Sequence, residues 1–128
     1  MNKLVVQLFS KLFEAREIAH IFHLQVKAKM GSEAEHNALN EFYEGILPYI
    51  DTLIEVYQGQ YDIVEGYETI NADVTRKKEP IGYLQDFTKF ISENRYKAIS
   101  KEDSHLHNIL DEIVALTYKT LYKLKNLK

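Results

Sequence analysis

Apolar residues recur with helical spacing over most of the chain. Across residues 3–30, at about 100° per residue, Leu4, Val5, Leu8, Leu12, Ala15, Ala19, Phe22 and Val26 fall on one face. A flanking stripe carries Val6, Phe9, Phe13 and Leu24. A helix with two apolar stripes has two surfaces to bury. One fits its own bundle, and the other predicts a partner subunit. The period returns over 33–61 with Leu39, Phe42, Tyr43, Ile46, Ile50, Leu53 and Tyr57. Between the two segments Gly31 reads as a helix C-terminal cap, and Ser32 with Glu35 three residues on reads as a capping box. A two-residue link predicts an antiparallel hairpin. Pro48 falls inside the second segment, where a lost hydrogen bond and a clash cost ~3 kcal/mol. The apolar period runs on through it, so one helix with a kink is expected.

Over 62–79 the pattern fades into a turn-like stretch around Gly66-Tyr67-Glu68-Thr69-Ile70-Asn71. Extended at ~3.3 Å per residue, this segment reaches about 60 Å. The preceding helix, at ~1.5 Å per residue, is about 43 Å long. The segment can therefore run back along a bundle as a crossover. Pro80 suits the first position of a third helix, in which Leu84, Phe87, Phe90 and Ile91 keep helical spacing to about Ala98. Asp103 or Ser104 caps a fourth, lined by Leu106, Ile109, Leu110, Ile113, Leu121 and Leu124. Lys119, Lys123, Lys125 and Lys128 gather at its C-terminal end, where positive charge suits the helix dipole. The links run short, long, short. The expectation is an all-α, four-helix, up-down-down-up bundle of the ferritin-like kind, one domain over 1–128. Its parts are A 3–30, B 33–61, crossover 62–79, C 80–98 and D 103–126.

Composition narrows the function classes. A chain of 128 residues, 45% hydrophobic, suits one core, and only 5 Gly and 2 Pro leave too few turns for a small all-β domain. Sixteen basic against 19 acidic residues give a net charge of −3, which argues against nucleic acid as a partner. With no Cys, thiolate metal sites and disulfides are excluded. No apolar run approaches ~18 residues, so no membrane span is expected. The first residues are too broken by polar ones for a signal peptide, so the expected compartment is the cytoplasm.

The chemistry-bearing residues lie on the second helix. Asp51 follows His36 by fifteen residues, and Glu55 follows Asp51 by four. On the helical wheel the two carboxylates are about 40° apart and His36 about 60° from Asp51, with Glu44 between the acids. The stripe is largely turned away from that helix's own core face. It can coordinate a metal only together with a neighbouring helix or subunit. Imidazole and carboxylate oxygen suit Fe(II), Mn or Zn.

The spacing His36-x14-Asp51-x3-Glu55 resembles the Dps family of mini-ferritins, whose second helix carries His, Asp and Glu at these intervals. Glu68-Thr69-Ile70-Asn71, Leu84-Gln85-Asp86 and Arg95-Tyr96-Lys97-Ala98-Ile99 resemble its crossover and early third helix. The resemblance implies an inter-subunit site, with two His from one chain and the Asp and Glu from the next. There Fe(II) is oxidised with O2 or peroxide, in a dimer or a twelve-subunit shell that stores the oxide. The first-helix ligand is His23 or His20. His23 is thirteen residues before His36, one insertion away from the family spacing, while His20 sits in a closer small-His-aromatic context, Ala19-His20-Ile21. The chain departs from the family in a third helix roughly ten residues shorter, in Val56 where a basic residue follows the Glu, and in lacking a Lys-rich N-terminal tail. These departures weigh against the full shell and against DNA protection.

Other chemistries fit less well. Glu17-x-x-His20 and Glu33-x-x-His36 match the di-iron Glu-x-x-His pattern, but the third and fourth helices offer no inward counterpart. His105 and His107 read as the start of the fourth helix. The alternative function is a ferritin-like oligomeric scaffold or partner-binding bundle without metal.

Overall fold

A computed structural model describes residues 2–27, 32–74 and 79–127. The described chain is all-helical: α1 (Lys3–Gln25), α2 (Glu33–Gln60), α3 (Pro80–Ala98) and α4 (Ser104–Asn126). Each helix starts where the local chemistry allows. The Asn2 side chain accepts from Leu4 N–H at 2.9 Å and donates to Ala98 O at 2.6 Å, capping α1 while tying it to the end of α3. Ser32 Oγ accepts from Glu35 N–H, and the Glu35 carboxyl takes a backbone hydrogen bond from Ser32, which completes the capping box. Pro80 stands in the first turn of α3, where its missing N–H costs nothing. α2 runs unbroken through Pro48, whose ring is exposed.

α1 is shorter than its apolar period. It ends at Gln25 rather than 30, with Val26 in an extended conformation. Groups from distant parts of the chain engage this end. The carbonyl of His23 accepts from His36 Nδ1 at 3.0 Å instead of serving a further helical turn, and Gln25 Nε2 donates to Val74 O at 3.2 Å. The connection to α2 is therefore 26–32 rather than two residues. The Gly31 cap lies outside the described residues. Asp103 is the N-cap of α4 by position, but its carboxylate makes no capping bond and accepts from Gln60 and Tyr61 at the end of α2.

The core is continuous. Leu8, Leu12, Phe9, Leu39, Phe42, Ile46, Ile50, Leu53, Leu84, Phe87, Ile91, Leu106, Leu110 and Ile113 are fully buried. Truncating Phe42 to Ala would cost about 3–5 kcal/mol in transfer and cavity terms. Six expected core positions are not fully in it: Leu4 is 38% exposed, and Val26, Tyr43, Phe90, Ile109 and Leu124 are half-buried at the rim. α1 lies beside α2 and α3, and α4 beside the same two, so that α2 and α3 stand diagonally and touch across the core through the edge-on Phe42–Phe87 pair. The start of α3 meets α1 through Tyr83, whose hydroxyl donates to Glu14 at 2.8 Å and whose ring meets Phe22 edge-on. The end of α2 meets the start of α4 through Gln60 and Tyr61.

The segment after α2 climbs beside α1. Gly66 takes a left-handed turn at φ 78°, Glu68 N–H donates to Ser10 Oγ at 2.9 Å, and Val74 reaches Gln25. This path answers for much of the second apolar stripe of α1. Val6 and Phe9 are buried inside the chain; Phe9 packs edge-on against Tyr57, and Phe13 against Tyr67 of the crossover. The stripe therefore does not by itself call for a partner subunit. Of its members only Leu24, 69% exposed, is left to solvent.

Candidate metal centre

Shortening α1 turns its last residues toward the first turns of α2 and brings two of the candidate histidines together. The rings of His23 and His36 stack at 3.6 Å between centroids, 23° from parallel. Each Nδ1 meets the other residue's backbone carbonyl: His23 Nδ1 to His36 O at 2.7 Å, and His36 Nδ1 to His23 O at 3.0 Å. A carbonyl can only accept, so both Nδ1 atoms carry the proton. In the neutral ring the lone pair is then on Nε2. No described residue hydrogen-bonds either Nε2. A backbone carbonyl on one ring nitrogen is the usual support for an imidazole that gives its other nitrogen to a metal.

His20 has a different role. Its ring stacks on Tyr43 at 4.1 Å and lies 6.2 Å from His23. Tyr43 also meets His23 edge-on at 5.4 Å. The ring pair His20–Tyr43 thus walls one side of the His23–His36 stack.

Asp51 and Glu55 are exposed on the outer face of α2, away from its core side chains. Fifteen residues of helix separate Asp51 from His36, about 22 Å at ~1.5 Å per residue. Among the described residues, no three His, Asp or Glu side chains come close enough within one chain to hold a metal ion. One chain offers an imidazole pair at one end of α2 and a carboxylate pair further along it, and a metal taking all four donors needs a second chain.

Three other polar clusters stand apart. At the α3–α4 turn His107 is buried; Arg95 donates from Nε to its Nδ1 at 3.2 Å and from Nη2 to its carbonyl at 2.9 Å. Arg95 also pairs with Asp111 at 2.8 Å. Between α1 and α3, burial acts to raise the Glu14 carboxyl, but hydrogen bonds from Lys11 and Tyr83 bring it below its ordinary value. The same burial and the bond to Glu14 push the Tyr83 hydroxyl far up. Near the end of α2, hydrogen bonds from Tyr61 and Gln60 hold the Asp103 carboxyl low. The sequence reading missed this last cluster, because nothing in the spacing of residues 61 and 103 announces that they meet.

The fold and site define a four-helix bundle with a paired-imidazole cluster where α1 gives way to α2. The chain belongs to DUF5856, a family of unknown function, which matches residues 23–124. That span contains His23, His36, Asp51 and Glu55. No curated protein and no solved structure matches the chain. Among the described residues, no helix is long and apolar enough to cross a membrane.

Proposed function

We propose that the chain is a ferritin-like bundle related to the Dps mini-ferritins, binding Fe(II) between two copies and oxidising it with O2 or peroxide. The observation that carries this reading is the His23–His36 pair, with both Nδ1 atoms committed to carbonyls and both Nε2 atoms left as donors. The exposed Asp51 and Glu55 of a second copy supply the hard oxygen ligands that Fe(II) prefers. His23 is the first-helix ligand in this reading, with His20 held against Tyr43 beside it. Two imidazoles and two carboxylates leave coordination positions for the oxidant, which takes electrons from Fe(II). The diagonal placing of α2 and α3, with the segment 61–74 climbing beside α1, supports the up-down-down-up, ferritin-like topology. Mn and Zn fit the same donors, as competitors for the site. The cytoplasm and a homo-oligomer, dimer or dodecamer, belong to the same proposal, and storage of oxide requires the larger assembly.

The exposure of Asp51 and Glu55 also suits a second reading, a metal-free oligomeric scaffold or partner-binding bundle whose outer α2 face is simply solvated. Metal analysis of protein purified without chelator separates the two. Bound iron that disappears in Asp51→Ala/Glu55→Ala supports the iron reading. A folded, metal-free protein that is indifferent to added Fe(II) overturns it.

A further inference from the structure

α2 carries Glu33, Glu35, Glu41, Glu44, Asp51 and Glu55, and no Lys or Arg. Four of these acids, Glu33, Glu44, Asp51 and Glu55, are exposed and lie within about 40° of one another on the wheel, opposite the core face. Among the described residues none of the four has an ion-pair partner; the one cation that reaches α2 is Lys123, on Glu41. Beside the acids the ridge holds Asn37, Pro48 and Gly59, and between it and His36 lie Asn40, Leu47 and Gln58, so the half-buried Leu47 is the one large apolar side chain there, too little to hold two helices together.

Resting on the iron reading above, we propose that the metal is also the switch for assembly: two copies close α2 against α2 only when cations occupy the seam. The geometry follows from the separation of the donors. His36 and the carboxylates of Asp51 and Glu55 share one helix, so two copies can each complete the other's site only if the two α2 helices run antiparallel. His36 of each then faces 51–55 of the other, and the crossing point falls near Glu44. At that crossing Glu44 meets its own copy. Glu33, one turn before His36, comes to Glu55 of the second copy. Four carboxylates from each chain thus converge on helices packed ~8–10 Å apart. That is within about one Debye length at physiological salt, so the repulsion is not screened away. Divalent ions between imidazole and carboxylate pairs cancel the charge and supply the bonds that the ridge itself lacks. Because the metal binds the closed pair and not the single chain, association rises with metal by mass action.

The test is mass against metal. By light scattering at neutral pH and ~100 mM salt, the protein in EDTA is expected to be a 15.0 kDa monomer. It should double in mass on adding Zn(II), a redox-silent probe, or Fe(II) without oxygen. Glu44→Gln, which removes the self-opposed charge without touching a ligand, should lower the Zn(II) needed for half-association severalfold. His36→Ala should stay monomeric at every metal concentration while keeping its helical circular dichroism. A stable dimer in EDTA that still takes up iron overturns the assembly switch and leaves the iron reading standing. A folded monomer that binds no metal overturns both.

Discussion

Two histidine clusters in this bundle use the same ring in opposite ways. At the α3–α4 turn, Arg95 Nε–H donates to His107 Nδ1, so that nitrogen holds the lone pair and Nε2 carries the proton. Nε2–H then serves the carbonyls of Ile99 and Ser100, each at 3.2 Å. Both ring nitrogens are spent on the chain itself. At the α1–α2 connection, His23 and His36 each spend Nδ1 on a carbonyl and keep Nε2. The first cluster is a clasp, and the second is a clasp that retains donors. Counting ring nitrogens, rather than histidines, separates a structural imidazole from one able to hold a metal.

The contrast can be broken by mutation. His107→Ala leaves the half-buried Arg95 Nε and two turn carbonyls without their partner, an expected loss of roughly 2 kcal/mol. His36→Ala, on a half-buried ring, should cost only about 1 kcal/mol. Urea unfolding of the two variants measures this difference. The same order should invert for metal: His36→Ala loses binding and His107→Ala keeps it. Equal destabilisation and equal metal loss would erase the distinction between the clusters.

Acid sharpens it further, since the clasp at the other end of α2 depends on a carboxylate. Hydrogen bonds from Tyr61 and Gln60 lower the Asp103 carboxyl in the folded chain below its ordinary value. The folded state therefore holds fewer protons on this group than the unfolded state. Its contribution is present above the ordinary carboxylate range and is lost as pH falls through the lowered value. Tyr61→Phe, which takes away the first of these bonds, should flatten the acid limb of stability measured in urea between neutral pH and pH 3. An unchanged acid limb would remove Asp103 as a contributor.

The smallest effect belongs to Glu35, beside the imidazole pair. Burial, and then the charge of Glu79, raise its carboxyl, while the bond from Ser32 opposes them. Here the folded chain holds the proton more tightly than the unfolded one, so stability falls as pH rises from the ordinary carboxylate value through the raised one. Glu35→Gln should abolish that slight decline and shift the neutral-pH melting temperature by no more than a degree or two, a change readable by calorimetry.

Much of the bundle was legible before any coordinates. The four helices, the capping box at Ser32 and Glu35, Pro80 in the first turn of α3 and the long segment between α2 and α3 all follow from local rules of period, capping and chain reach. The outward stripe of Asp51 and Glu55 was legible too, because the helical wheel alone turns them from the core. Three features were not. The end of α1 at Gln25 depends on a ring from residue 36 taking the His23 carbonyl. The burial of Val6 and Phe9 depends on neighbours more than 40 residues away, as in the Phe9–Tyr57 pair. The choice of Asp103 as an anchor for α2 rather than a cap for α4 depends on Tyr61 arriving beside it.

Taken by itself, the sequence determined which stretches are helical and which side of each faces inward, because those properties repeat every few residues and need no distant partner. Only the tertiary structure decided where α1 stops, what covers its second stripe and that His23, not His20, stacks on His36. Those outcomes turn on which of several polar and aromatic groups, far apart in the chain, reach a given hydrogen bond or ring face first, and a periodicity carries no record of that competition.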